Sequence, residues 1–137
     1  MKKVFFLFLI LGLTSLTFAQ TTEAETKAKQ EDHSVYNTSG IEVKPDFPGG
    51  ISEFYSYIGR NYWVPNMKDL NGKVIVSFII EKDGSIGDIK VIKDIGFGTA
   101  EEAIRVLQKC PKWIPGSING QNVRVLYSLP INIGTVK

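Results

Sequence analysis

Two alternating apolar runs that meet at Asp83-Gly84 limit what this chain can become more than any other feature in it. Between Gly72 and Gly96, the residues Val74, Val76, Phe78 and Ile80 recur at the period of two that puts side chains on one face of a strand. Ile89 and Val91 do the same after the turn. The pair predicts a β-hairpin. Bringing the two apolar faces together sets Phe78 opposite Ile89 and Val76 opposite Val91, with Ser77 opposite Lys90 and Ile79 opposite Asp88 on the second face. That parity requires a connecting loop of two or four residues, because a three-residue loop would set Phe78 against Asp88 and turn one strand inside out.

The 137 residues leave room for one domain with a modest core. Ahead of it, Lys2-Lys3 precede an unbroken apolar run from Val4 to Leu13, then Thr14-Ser15-Leu16-Thr17-Phe18-Ala19, with small residues where a signal peptidase reads before Gln20. The pattern predicts a signal peptide over residues 1–19. A retained membrane anchor needs about 20 apolar residues, and this run with its Thr and Ser falls short. No cysteine follows the run, which excludes lipid-anchored export, and Cys110, the sole cysteine, cannot form an internal disulfide. Removing Lys2 and Lys3 takes the net charge of +2 to zero, so the electrostatic footprint of a nucleic-acid binder is absent. Residues 20–40 are polar with almost nothing to bury and read as a disordered leader. His33, inside it, reads as a solvated side chain with no second ligand at metal-binding spacing.

Organised sequence begins at Ile41, so the domain is expected over residues 41–137. After Pro45-Asp46-Phe47-Pro48-Gly49-Gly50, a helix is predicted with Ile51, Phe54, Tyr55, Ile58 and Tyr62 on its buried face, closed off by Pro65. Beyond the hairpin, Thr99 and Glu102 can cap one another's free amides at the start of a second helix. Its stripe is Ala100, Ala103, Ile104, Leu107 and Cys110, and it ends at Pro111. A third long strand runs from Val123 to Ile133 and contains Pro130, which lacks the amide a ladder needs and so belongs at a sheet edge. The first hairpin strand, apolar on both faces, is the natural centre. The prediction is an α+β domain: a three-stranded antiparallel sheet in the order 2-1-3, with two helices packed on one face.

The residues needed for catalysis are not assembled anywhere in the sequence. The only histidine lies in the leader, which removes Ser-His-Asp and Cys-His arrangements. Gly96-Phe97-Gly98 lacks the third glycine of a dinucleotide fingerprint, Glu101 standing there instead. Cys110 sits at a helix C-terminus, where the dipole works against a thiolate. Asp88 and Glu81 read as solubility residues on an exposed sheet face. No catalytic residue, metal site or cofactor is expected.

Several motifs in order nevertheless carry a resemblance: Pro45-Asp46-Phe47-Pro48-Gly49-Gly50, the strand-turn-strand from Gly72 to Ile86, Glu102-Ala103, Pro111-Lys112-Trp113-Ile114-Pro115-Gly116, and Val123 to Ile131. Together, over Ile41 to Ile133, they resemble the TonB C-terminal domain in its Bacteroidetes-type form. The resemblance implies a non-enzymatic periplasmic domain. Such a domain grips the TonB-box segment of outer-membrane transporters and passes on force from an inner-membrane motor. A full transducer of that kind also carries an uncleaved membrane helix with a polar residue and a Pro-rich spacer. Here the run from Val4 to Ala19 has no charge or histidine, and residues 20–40 contain no proline and extend to about 70 Å at most. Binding is therefore the better-supported half of the family function. The alternative is a free periplasmic adaptor or structural module that uses the same domain to bind another envelope protein without transmitting force, with membrane contact only if the signal segment is retained.

Pro130 also predicts where a partner would bind. Alternate residues of an antiparallel edge strand turn both backbone groups towards the neighbour or both away, and a proline is tolerated among those facing away. Arg124, Leu126, Ser128 and Asn132 share its parity. Their backbone groups are expected to be free for an extended peptide that joins the sheet, the mode implied by the resemblance. With the intervening Tyr127 they form the candidate partner-binding set.

Overall fold

The computed structural model of the chain describes residues 32–134. The expected signal peptide and most of the expected leader lie outside the described residues. In chain order the elements are β1 (Val35–Asn37), a single 3-10 turn (Thr38–Gly40), α1 (Ile51–Asn61), β2 (Asn71–Ile80), β3 (Ile86–Lys93), α2 (Thr99–Gln108), β4 (Gly116–Ile118) and β5 (Gln121–Gly134). β1 and the 3-10 turn, which lie before residue 41 in the stretch expected to be a disordered leader, belong to the compact unit that begins at His33.

The class is α+β with two helices, but the sheet is not a three-stranded antiparallel one. The long strands lie in the order β3, β2, β5, each antiparallel to β2. β1 adds to the outer side of β5 in parallel, and β4 forms a short antiparallel hairpin with the start of β5, which makes a mixed sheet of five strands. Neither addition is visible as alternation, since each is three residues long and neither supplies more than one deeply buried residue.

The hairpin reaches the expected facing by a different route. Val76 pairs with Val91 and Ser77 with Lys90, as parity demands. The loop, however, is odd. The Glu81 amide donates to the Ser85 carbonyl at 2.8 Å and the Gly84 amide to the Glu81 carbonyl at 2.9 Å, leaving Lys82, Asp83 and Gly84 as a three-residue connection with Gly84 in the left-handed region at φ +86°. The slip this would cause is cancelled on β3. There Ile79 pairs with Gly87 while Ser77 pairs with Lys90, so two residues, Asp88 and Ile89, face Phe78 alone. Asp88 takes up the extra residue in a bulge at φ +48°. A second shift between Ile75 and Val76 inserts Ile92 in the same strand.

Both helices bury side chains against the sheet face that carries Val74, Val76, Phe78 and Ile80. α1 contributes Phe54 and Ile58, with Tyr62 just past its end; Ile51 and Tyr55, expected on the buried face, are exposed. The capping box of α2 does not form. Gly98 is the N-cap, the Thr99 hydroxyl donates to the Gly96 carbonyl at 2.6 Å, and the Glu102 carboxylate is drawn away to the Trp63 amide at 2.8 Å and to Arg105. The buried face of α2 is accordingly Thr99, Ala103, Val106 and Leu107, rotated from the expected stripe so that Val106 takes the place of Ile104. Trp113, 3% exposed, closes the core from the loop after α2. Its ring centroid lies 5.5 Å from Phe47, 5.2 Å from Phe54, 5.7 Å from Phe78 and 5.2 Å from Tyr127. Its indole nitrogen is buried without a hydrogen-bond partner.

Candidate functional site

The geometry of β5 follows from one residue. Pro130 stands opposite Ile75 of β2 and has no amide to donate, so its backbone faces away from β2. Every second residue shares that orientation: Arg124, Leu126, Ser128 and Asn132 turn outward, while Tyr127, opposite Phe78, turns inward.

The pairing along β5 changes in three steps. Residues 121–123 pair with β4 and residues 124–126 with β1. Along residues 127–134 no strand pairs with the outer edge among the described residues. Of the sequence-derived set, Arg124 and Leu126 therefore do not offer free backbone groups: Val35 to Asn37 already lie beside them. Ser128 and Asn132 lie on the open stretch. Between those two, Pro130 has no amide to give a new strand, and its carbonyl accepts the Tyr55 hydroxyl at 3.1 Å.

The side chains of the set have separate tasks. The Arg124 guanidinium makes a two-pronged pair with Glu81, at 2.7 and 3.1 Å, and its third nitrogen donates to the His33 carbonyl at 2.9 Å. The hydrogen bond to Glu81 pushes the Arg124 pKa further up. Glu81, read from sequence as a solvated surface acid, is thus a structural partner. The Tyr127 ring is stacked on Phe78 at 5.8 Å and touches Trp113, so it is part of the core margin; burial, then the acids Asp46 and Tyr55, push its pKa up. Leu126 is exposed on the opposite face.

Where β1 ends and the chain turns off at Thr38, a cleft of about 410 Å³ opens against this edge. Asn37, Thr38, Lys44 and Pro45 form one wall, and Leu126, Tyr127 and Ser128 the other. The first wall and Tyr55 were missed in the sequence-derived set. Only Pro45 carried a signal, as part of a recognisable motif; Asn37, Thr38 and Lys44 stand in a polar stretch without periodicity. The sheet's other outer edge, on β3, is broken by the bulges at Asp88 and Ile92 and carries Lys90 and Lys93, features that resist strand addition.

Burial pushes the Cys110 thiol up, which leaves it a poor nucleophile. Phe47, in the loop before α1, is buried in the core and not available to a partner. Among the described residues no group of three or more His, Cys, Asp or Glu side chains is placed to hold a metal ion, and no helix is long and apolar enough to cross a membrane. Residues 66–132, which include β2, β3, α2, β4 and nearly all of β5, match the family model described as Gram-negative bacterial TonB protein C-terminal. No curated protein and no solved structure matches the chain.

Proposed function

We propose that the chain, whose residues 66–132 match the TonB C-terminal family, is a periplasmic binding component of energy-coupled outer-membrane transport. In this reading its β5 edge takes up an extended segment of a transporter, the TonB box, as an added strand. The domain is of the TonB-like envelope class, serving transport rather than catalysis.

One observation carries the reading: among the described residues no strand pairs with the outer edge of β5 from residue 127 onward, and a cleft lies beside Ser128, whereas the edge on β3 is bulged and charged. Strand addition uses outward backbone groups and pockets for alternate side chains. Ser128 and Asn132 supply outward groups on either side of Pro130, and the cleft beside Ser128 supplies a pocket. Pro130, with no amide and a carbonyl held by Tyr55, separates the two anchor points.

The test is capture of a synthetic TonB-box peptide by the full chain. Ser128→Pro removes an outward amide and should abolish capture while the melting transition stays nearly where it was. Capture by Ser128→Pro equal to that of the wild type would rule out strand addition at this edge.

A further inference from the structure

We propose that β1 is a removable strand gate, occupying the upper part of the β5 edge and restricting how far a partner can pair. The inference rests on the reading of that edge as a strand acceptor. It starts from a mismatch. From Arg124 through Leu126 to Ser128 the outward backbone groups form one row, yet residues 124–126 are taken by the chain's own Val35–Asn37, while among the described residues no strand pairs at Ser128. A partner docking at Ser128 and extending towards Leu126 must meet the end of β1.

β1 is built to leave. It is three residues long, Val35 and Asn37 are exposed with Tyr36 half-buried between them, and among the described residues before Phe47 none belongs to the hydrophobic core. Part of its attachment is polar. With Arg124 and Leu126 turned outward, the parallel register places the backbone of Tyr36 between them, and the Arg124 side chain holds the His33 carbonyl at 2.9 Å while braced by Glu81. Segments with few buried apolar contacts and edge hydrogen bonds open at far lower free energy than the core. Detaching β1 would free the outward groups of Arg124 and Leu126 and give a continuous acceptor from Arg124 through Ser128. While it is docked, tethering keeps it at a high effective concentration at the edge, and a partner's apparent affinity falls by the fraction of open chains.

Two measurements on the full chain decide it. In native-state hydrogen exchange of the wild type, the Leu126 amide, which faces β1, should exchange at least about a hundredfold faster than the Phe78 amide, which faces β5. Equal protection would show that β1 opens only with the whole fold and would overturn the gate. The second uses Tyr36→Pro, which removes the ladder amide of β1, and a peptide of residues 32–40 of this sequence as the probe. The variant should keep its melting transition and bind the probe about tenfold or more tightly than the wild type. No gain in binding, or a collapse of the melting transition in Tyr36→Pro, overturns the proposal. A TonB-box peptide run in parallel separates the two ideas: if only the 32–40 peptide gains, the transporter reading fails and the gate stands, and if only the TonB-box peptide binds, without gain in the variant, the gate fails alone.

Discussion

The Trp113 amide donates to the Gly84 carbonyl at 2.8 Å, and a Cβ on Gly84 would stand 2.0 Å from the Trp113 carbonyl oxygen. The hairpin turn is thereby fastened to the loop that follows α2, next to the indole that fills the core. Gly84 meets two demands at once, a left-handed φ of +86° and this close approach. Gly84→Ala should cost about 2 to 4 kcal/mol, the sum of about 1 for the backbone and 1 to 3 for overpacking. Gly96, at φ +76° with nothing within 4 Å of a Cβ, carries only the first cost. Its alanine variant should lose about 1 kcal/mol. Denaturant midpoints of the two variants side by side test the difference; equal losses would show that the contact with Trp113 yields freely.

Trp113 and Phe78 share one core, with centroids 5.7 Å apart, and Phe78 is fully buried. Each truncation to alanine should cost about 3 to 5 kcal/mol, a large share of what holds a domain of this size. Because the rings touch, the costs should not add, and a double-mutant cycle should show coupling of about 0.5 kcal/mol or more. Additive losses, or an unchanged melt for Trp113→Ala, would place the indole outside the shared core.

The hairpin and its apolar face were legible because Val74, Val76, Phe78 and Ile80 repeat at a strict period and a one-residue slip would expose all four. The loop length was not. Parity counting assumes regular strands, and Asp88, a non-glycine residue at positive φ, adds a residue to β3 that alternation cannot reveal. Pro130 revealed the edge, since a missing amide is a property of the residue itself. That part of this edge is already occupied was hidden: β1 draws on backbone pairing in a polar stretch, and Val35-Tyr36-Asn37 has no pattern to mark it. The rotation of α2 was hidden for a related reason, because Glu102 turns to Trp63 and Arg105 instead of capping its own helix.

Alkaline pH should probe the seam between α1 and α2. The buried Tyr62 hydroxyl donates to the Thr99 carbonyl at 2.5 Å. Burial, followed by Glu102, Asp94 and Glu101, pushes its pKa up from 10.0 to about 12. A folded-state pKa above the unfolded one means that the protonated hydroxyl stabilises the fold fully below pH 10.0 and that this stability is lost as the pH rises towards about 12. Tyr62→Phe should be less stable than the wild type at neutral pH by about 1 kcal/mol for the lost hydrogen bond, yet its melting temperature should fall less steeply over that alkaline window. Tyr57 and Tyr127, also pushed up chiefly by burial, keep a residual slope in the variant. Parallel pH profiles for the two proteins would exclude Tyr62 as the responsible group.

The parity of β5 can be tested without any partner. Tyr127 stands opposite Phe78 and Ser128 opposite Ser77, and with Pro130 facing away from β2, the Tyr127 amide must face β2 and the Ser128 amide must not. Proline at 127 then breaks a ladder bond to the central strand, whereas proline at 128 removes an amide that no strand receives. The Tyr127 ring also packs on Phe78 and Trp113, so its loss has to be separated from loss of the amide. Alanine at each position does this, since it trims the side chain and keeps the N–H. Tyr127→Pro should be about 3 kcal/mol or more less stable than Tyr127→Ala. Ser128→Pro should match Ser128→Ala within about 0.5 kcal/mol. If the proline penalty were instead found at Ser128 and absent at Tyr127, the outward row would consist of the odd-numbered residues, and a strand joining this edge would have to use Tyr127 and its neighbours at that parity.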